Sequence, residues 1–142
     1  MKLLLPVLLL LSLNALSQDS SFTRTYACRC DSLIHRPALQ NLMKGKGVNC
    51  DINAAGIFSN DFHDITSNNT SKAIIDAYAN IRLQFKLHIT CNNNGLKVQL
   101  LFKEGRPGTT VWINTLTEKG KAFAQRVFDE WLPQITKTAC LP

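Results

Sequence analysis

The sequence predicts a single α+β domain, an antiparallel meander of at least three strands packed by about four helices. Three observations carry this reading. In "RLQFKLHIT", residues 82–90, Leu83, Phe85, Leu87 and Ile89 alternate with polar residues without a break, the pattern of a strand with one buried face. "LKVQLLFK", residues 96–103, repeats the alternation through Leu96, Val98, Leu100 and Phe102, after "CNNNG", whose asparagines and glycine suit a tight hairpin. In "EKGKAFAQRVFDEWL", Phe123, Val127 and Trp131 recur every four residues, which gives an amphipathic C-terminal helix to lay on the meander.

The elements follow in order. The opening "MKLLLPVLLLLSLNALSQ" sets one lysine before a leucine-rich run and small residues at Ala15 and Ser17. That is the pattern of a secretory signal peptide over residues 1–17, with an apolar core too short to span a bilayer comfortably. The expectation is therefore a secreted domain over residues 18–142, without a membrane span. A chain of this length buries roughly two thirds of its unfolded surface, enough for one core without a metal or cofactor.

Residues 18–26 read as a polar, extended arm. In "DSLIHRPALQNLMKGKG", Pro37 suits the first turn of a helix, Leu39, Leu42 and Met43 share a face, and Gly45 and Gly47 stop the run. "CDINAAGIFSNDF" reads as a second short helix capped by Asp51, with Ile52, Ala55 and Phe58 at helical spacing and Gly56 against it. "DFHDIT" reads as a brief strand or bend before a loop at 67–70. Thr70 or Ser71 then caps a third helix that carries Ile74, Tyr78 and Ile81 on one face. After the hairpin, "EGRPG" turns into a third strand, "TTVWINTL", and Thr117 caps the last helix, which Pro133 is expected to end.

Cys28, Cys30, Cys50, Cys91 and Cys140 all follow the leader, so disulfides are expected. The count is odd: at most two internal pairs form and one thiol is left, buried or joining two chains as a homodimer. Which cysteines pair stays open. "CRC" lacks the spacing and the second ligand pair of a zinc site, so no metal is expected.

The chain carries 16 Lys and Arg against 10 Asp and Glu, a net charge of +6. The outward phase of the hairpin gathers Arg82, Lys86, His88, Lys97 and Lys103, with Arg106 in the next turn and no acid before Glu104. Such a face suits an anionic, heparin-like glycan, anionic lipid or an acidic extracellular protein, and a pocket under the sheet would suit a small apolar ligand. The plainer alternative is a solvated face whose lysines discourage edge pairing. The compartment and the lack of interleaved aromatics argue against nucleic acid.

For catalysis, "NDFHDIT" offers His63 with Asp61 as an acid/base pair, against a plain polar turn as the alternative. No nucleophile elbow, phosphate loop or two-histidine zinc helix is present. Asn68 and Asn69 head the overlapping N-glycosylation signals "NNT" and "NTS". Trp131 belongs to the apolar helix stripe, whereas Trp112 is the better candidate for a partner contact. The leading reading is a secreted, disulfide-stapled binding module. An enzyme using His63 and a disulfide-linked secreted ligand are the alternatives.

"AAGIFSNDFHDIT", residues 54–66, resembles a segment of secreted nuclear transport factor two-like domains. There a short helix ends in a phenylalanine and a second aromatic follows an acidic turn; here those residues are Phe58, Asp61 and Phe62. The resemblance covers about residues 39–116 and implies a cone-shaped α+β fold, a curved sheet around helices with a pocket between them. Pro37, within the first helix, and the C-terminal helix depart from that family's pattern. That fold hosts enzymes, binders and scaffolds alike.

Overall fold

A computed structural model describes residues 20–31 and 33–140. The leader expected over residues 1–17 lies outside the described residues. Strands β1 (Ser21–Tyr26), β2 (Asp51–Ile52), β3 (Gly56–Phe58), β4 (His63–Asp64), β5 (Leu83–Asn92), β6 (Gly95–Gly105) and β7 (Trp112–Ile113) form one antiparallel sheet. Helices α1 (His35–Gly45), α2 (Lys72–Ala77) and α3 (Glu118–Ala139) complete the described residues. The α+β class holds; the expected four helices are three.

The two alternating segments behave as their pattern demands. β5 and β6 pair along their full length, with Phe85 opposite Phe102, Leu87 opposite Leu100 and Ile89 opposite Val98. Opposed residues share a sheet face, so one face is a continuous apolar layer, and each of these six side chains is at most 2 % exposed. α3 covers that layer with Phe123, Val127, Phe128, Trp131 and Ile135. The Trp131 ring meets Phe85 edge-on at 4.8 Å, and its indole N–H donates to the Asn69 carbonyl. α1 packs Leu39 and Met43 into the same core, and Pro37 sits in its first turn, as expected.

Glu104 closes the inner row of β6 in an unexpected way. Its carboxylate is buried and accepts hydrogen bonds from the backbone N–H and hydroxyl of Thr117, both at 3.0 Å. The Thr117 hydroxyl in turn accepts from the Gly120 N–H, so the expected cap is present and is tied to the sheet. A carboxylate at a helix N-terminus is favoured by the helix dipole, and each hydrogen bond to a charged acceptor contributes roughly 1.5–3 kcal/mol. A Cβ at position 120 would overlap Glu104 Oε1, which explains a glycine inside the first turn.

Four expectations are corrected. The arm at 18–26 contains an edge strand: β1 pairs with β6 from Ser21 opposite Leu101 to Tyr26 opposite Leu96. Its Phe22 ring meets Phe102 edge-on at 5.4 Å, and its Ser and Thr residues, polar in composition, suit an extended edge.

The second short helix is instead the β2–β3 hairpin. The Asn53 side chain accepts from the N–H groups of Ala55 and Gly56, which turns the chain back on itself. The third strand of the meander shrinks to Trp112–Ile113, because the preceding loop folds on itself through Arg106 N–H to the Val111 carbonyl.

Pro133 does not end α3, which continues to Ala139. Asp129 and Pro133 are both exposed, so water can satisfy the carbonyl that Pro133 leaves without a donor. The extra turns bury Ile135 and Ala139.

Candidate functional site

The β5–β6 ladder that buries one face turns the other outward. Along that outer face the cross-strand pairs are Thr90 with Lys97, His88 with Gln99, Lys86 with Leu101, and Gln84 with Lys103. From Lys97 to Lys103 the cations span about 20 Å of strand at ~3.4 Å per residue. Glu104 is buried on the opposite face, and so does not neutralise them.

The edge of the sheet beside β5 shapes this face into a site. β3 and β4 both pair with β5, and between them residues 59–62 leave the ladder. Buried Ser59 manages the departure: its N–H donates to the Leu87 carbonyl and its hydroxyl accepts from the Leu87 N–H. Asn60 bonds Asp51 of β2, which fixes the loop. Phe62 then lies against the outer face, with Lys103 Nζ 4.2 Å and Lys86 Nζ 5.8 Å from its ring centre. Two ammonium groups on one aromatic ring are each attracted to its π face and repel one another. Neither has a carboxylate partner among the described residues.

Beside this cradle lies an open groove of about 330 Å³, lined by Phe58, Leu87, Leu101, Lys86, His88 and Gln99 among others. Leu101 is 38 % exposed on it, and the Phe58 ring stands edge-on to His88 at 6.5 Å. The site is thus an apolar floor with a cationic rim. Of the acids at its margin, Asp64 accepts from the Gln84 side-chain amide and Asp51 from Asn60, while Asp61, beside Phe62, is exposed.

The expected basic residues divide. Lys86, His88, Lys97 and Lys103 share the outer face. Arg82 serves the fold instead: its guanidinium donates to the carbonyls of Arg106 and Thr109 at 2.8 Å each and stands 5.2 Å over the Trp112 ring. Arg106 belongs to that same loop, beyond β6. Trp112 and Arg82 line a second cavity, of about 340 Å³, with Tyr78 and Phe123.

His63 pairs across the ladder with Phe85, and the two rings lie 5.9 Å apart. Asp61 is exposed in the loop at 59–62, and no hydrogen bond or ion pair joins it to His63 among the described residues. Asn68 and Asn69 lie in the turn between β4 and α2. The sequence assigns neither Phe62, named only for the resemblance, nor Leu101 to this face. Leu101 carried a legible signal, since it is an apolar residue in the polar phase of β6.

Cys28 pairs with Cys140 and Cys30 with Cys91, leaving Cys50 free and buried. His35 lies beside the second pair, with Nδ1 accepting from the Asp31 N–H. Both sulfurs there are held in the disulfide, so neither is free to ligate a metal.

Burial and then the charge of Asp51 push the Cys50 thiol up from 9.0 to about 11, so at neutral pH it is a protonated, enclosed group. That does not suit a bond to a second chain. The folded value lies above the unfolded one, so the stability this thiol contributes is whole below pH 9 and is lost as pH rises toward 11. Relative to Cys50→Ala, the wild-type protein is expected to lose about 2 kcal/mol between about pH 8 and about pH 10.5, read from urea midpoints. A constant gap between the two proteins would contradict the burial.

No family model matches the chain, and neither a curated protein nor a solved structure matches it.

Proposed function

We propose that this protein is a binding module whose uncovered sheet face takes an amphipathic anion, a ligand with a carboxylate or sulfate head and an apolar body. One observation carries the reading: Lys86 and Lys103 both stand over the Phe62 ring with no carboxylate partner among the described residues, and Lys86 also lines the apolar Phe58–Leu101 groove. An anionic head between the two ammonium groups relieves their repulsion and gains charge-assisted hydrogen bonds. The tail then covers Leu101 and Phe58, which removes exposed apolar surface from water. The groove's volume lies at the small end of ligand sites, which fits a compact ligand or one end of a longer one.

A second reading has its own observation. Lys97 extends the line of cations beyond the groove, which suits a linear sulfated glycan along the strands. The two disulfides agree with an extracellular or luminal setting for either partner.

The experiment is a calorimetric titration with dodecanoate, run beside retention on immobilised heparin. Changing Lys86→Gln together with Lys103→Gln is expected to weaken dodecanoate binding at least about tenfold, the ~1.4 kcal/mol scale of one lost charge-assisted contact. Lys97→Gln alone leaves it unchanged. If Lys97→Gln instead matters most, and only for heparin, the glycan reading replaces the first. Indifference of both probes to all three lysines would end both readings.

A further inference from the structure

The overlapping signals at Asn68 and Asn69 are equivalent as sequence, but the fold makes them different. Asn69 is only 7 % exposed. Its amide nitrogen donates to the Asp64 carbonyl at 2.9 Å, and its amide oxygen accepts from the Thr66 N–H and the Thr70 hydroxyl. Its backbone carbonyl receives the indole N–H of fully buried Trp131. The residue is therefore a pin that holds the turn after β4 to the core.

A sugar on that nitrogen removes a donor hydrogen and needs space where the turn is packed. Asn68, one position earlier, is exposed, and its backbone N–H donates to the Thr66 hydroxyl, so the turn holds without its side chain.

We propose that the folded protein carries an N-linked glycan at Asn68 and none at Asn69. The new bond joins the Asn68 amide nitrogen to the anomeric carbon of a lipid-linked oligosaccharide, with the lipid diphosphate leaving and one amide proton lost. The inference rests on the luminal setting given above and is independent of what the sheet face binds.

The two signals can be removed separately, because "NNT" needs Asn68 and "NTS" needs Ser71, which is exposed. The full chain is expressed in a eukaryotic secretory host, and the medium and cell fractions are read by mobility before and after peptide N-glycosidase treatment. Mass spectrometry then locates the deamidated site. The expected result is one glycan in the wild type, retained in Ser71→Ala and absent from Asn68→Gln, with all three chains in the medium. A sugar that survives Asn68→Gln, or that disappears in Ser71→Ala, overturns the assignment. A secreted chain without sugar overturns the site but not the compartment, whereas an unglycosylated chain confined to cells overturns both.

Discussion

Replacing Cys28 and Cys140 together with serine is expected to lower the stability of the fold by about 4 kcal/mol. The bridge closes a chain separation of 112 residues, from the end of β1 to the end of α3. The Cys30–Cys91 bridge remains and shortens that path to about 50 residues, for which the chain-entropy account gives about 4 kcal/mol. Local packing adds little, since both cysteines are half-buried and α3 is already held by its apolar stripe. Most of the effect thus lies in the unfolded state, and the variant is expected to keep the native backbone while its urea midpoint falls steeply. An unchanged midpoint would mean that the two ends are held together by contacts alone.

Gly56→Val is expected to cost about 4 kcal/mol, at the exceptional end for a single substitution. A Cβ at position 56 would overlap the Ile89 carbonyl and crowd Thr90 Cα at 2.9 Å, backbone atoms that cannot turn aside. β3 would have to leave β5, and Phe58 would leave the groove with it, so ligand binding should fall alongside stability. Gly45→Ala is the matched control. Nothing lies within 4 Å of a Cβ at that helix end, and the higher helix propensity of alanine should make it neutral or stabilising by up to ~1 kcal/mol. Equal urea midpoints for the two variants would contradict the close approach of β3 to β5.

Gly56 also shows why the sequence misled at this point. Helical spacing of Ile52, Ala55 and Phe58 is a local pattern, while the need for a bare backbone at residue 56 arises from Ile89, a residue far along the chain. The long strands and α3 were legible because each carries a long, regular apolar period that one packed face enforces. β1 was not, because Arg24 interrupts the inward phase between Phe22 and Tyr26 and only pairing with β6 makes the segment a strand. The passage of α3 through Pro133 depended on apolar residues beyond it, Ile135 and Ala139, whose burial outweighs one missing hydrogen bond.

The candidate site was half legible for the same reason. Strand phase alone placed Lys86, His88, Lys97 and Lys103 together. It also credited Arg82 to the face, although the carbonyls that hold Arg82 come from the loop after β6. Phe62 was beyond reach, since its position depends on Ser59 taking the chain out of the ladder, which no periodicity announces. The disulfide pairing was equally closed to the sequence, because it follows from which strand and helix ends meet.

The central claim is that the outer sheet face is where this protein binds. Backbone amide chemical-shift mapping during a dodecanoate titration tests it most directly. The account predicts shifts concentrated at Phe58, Phe62, Lys86, Leu101 and Lys103, saturating together and needing at least about tenfold more dodecanoate in the Lys86→Gln, Lys103→Gln variant. Shifts gathered instead around Tyr78, Trp112 and Phe123, or none at all, would contradict it.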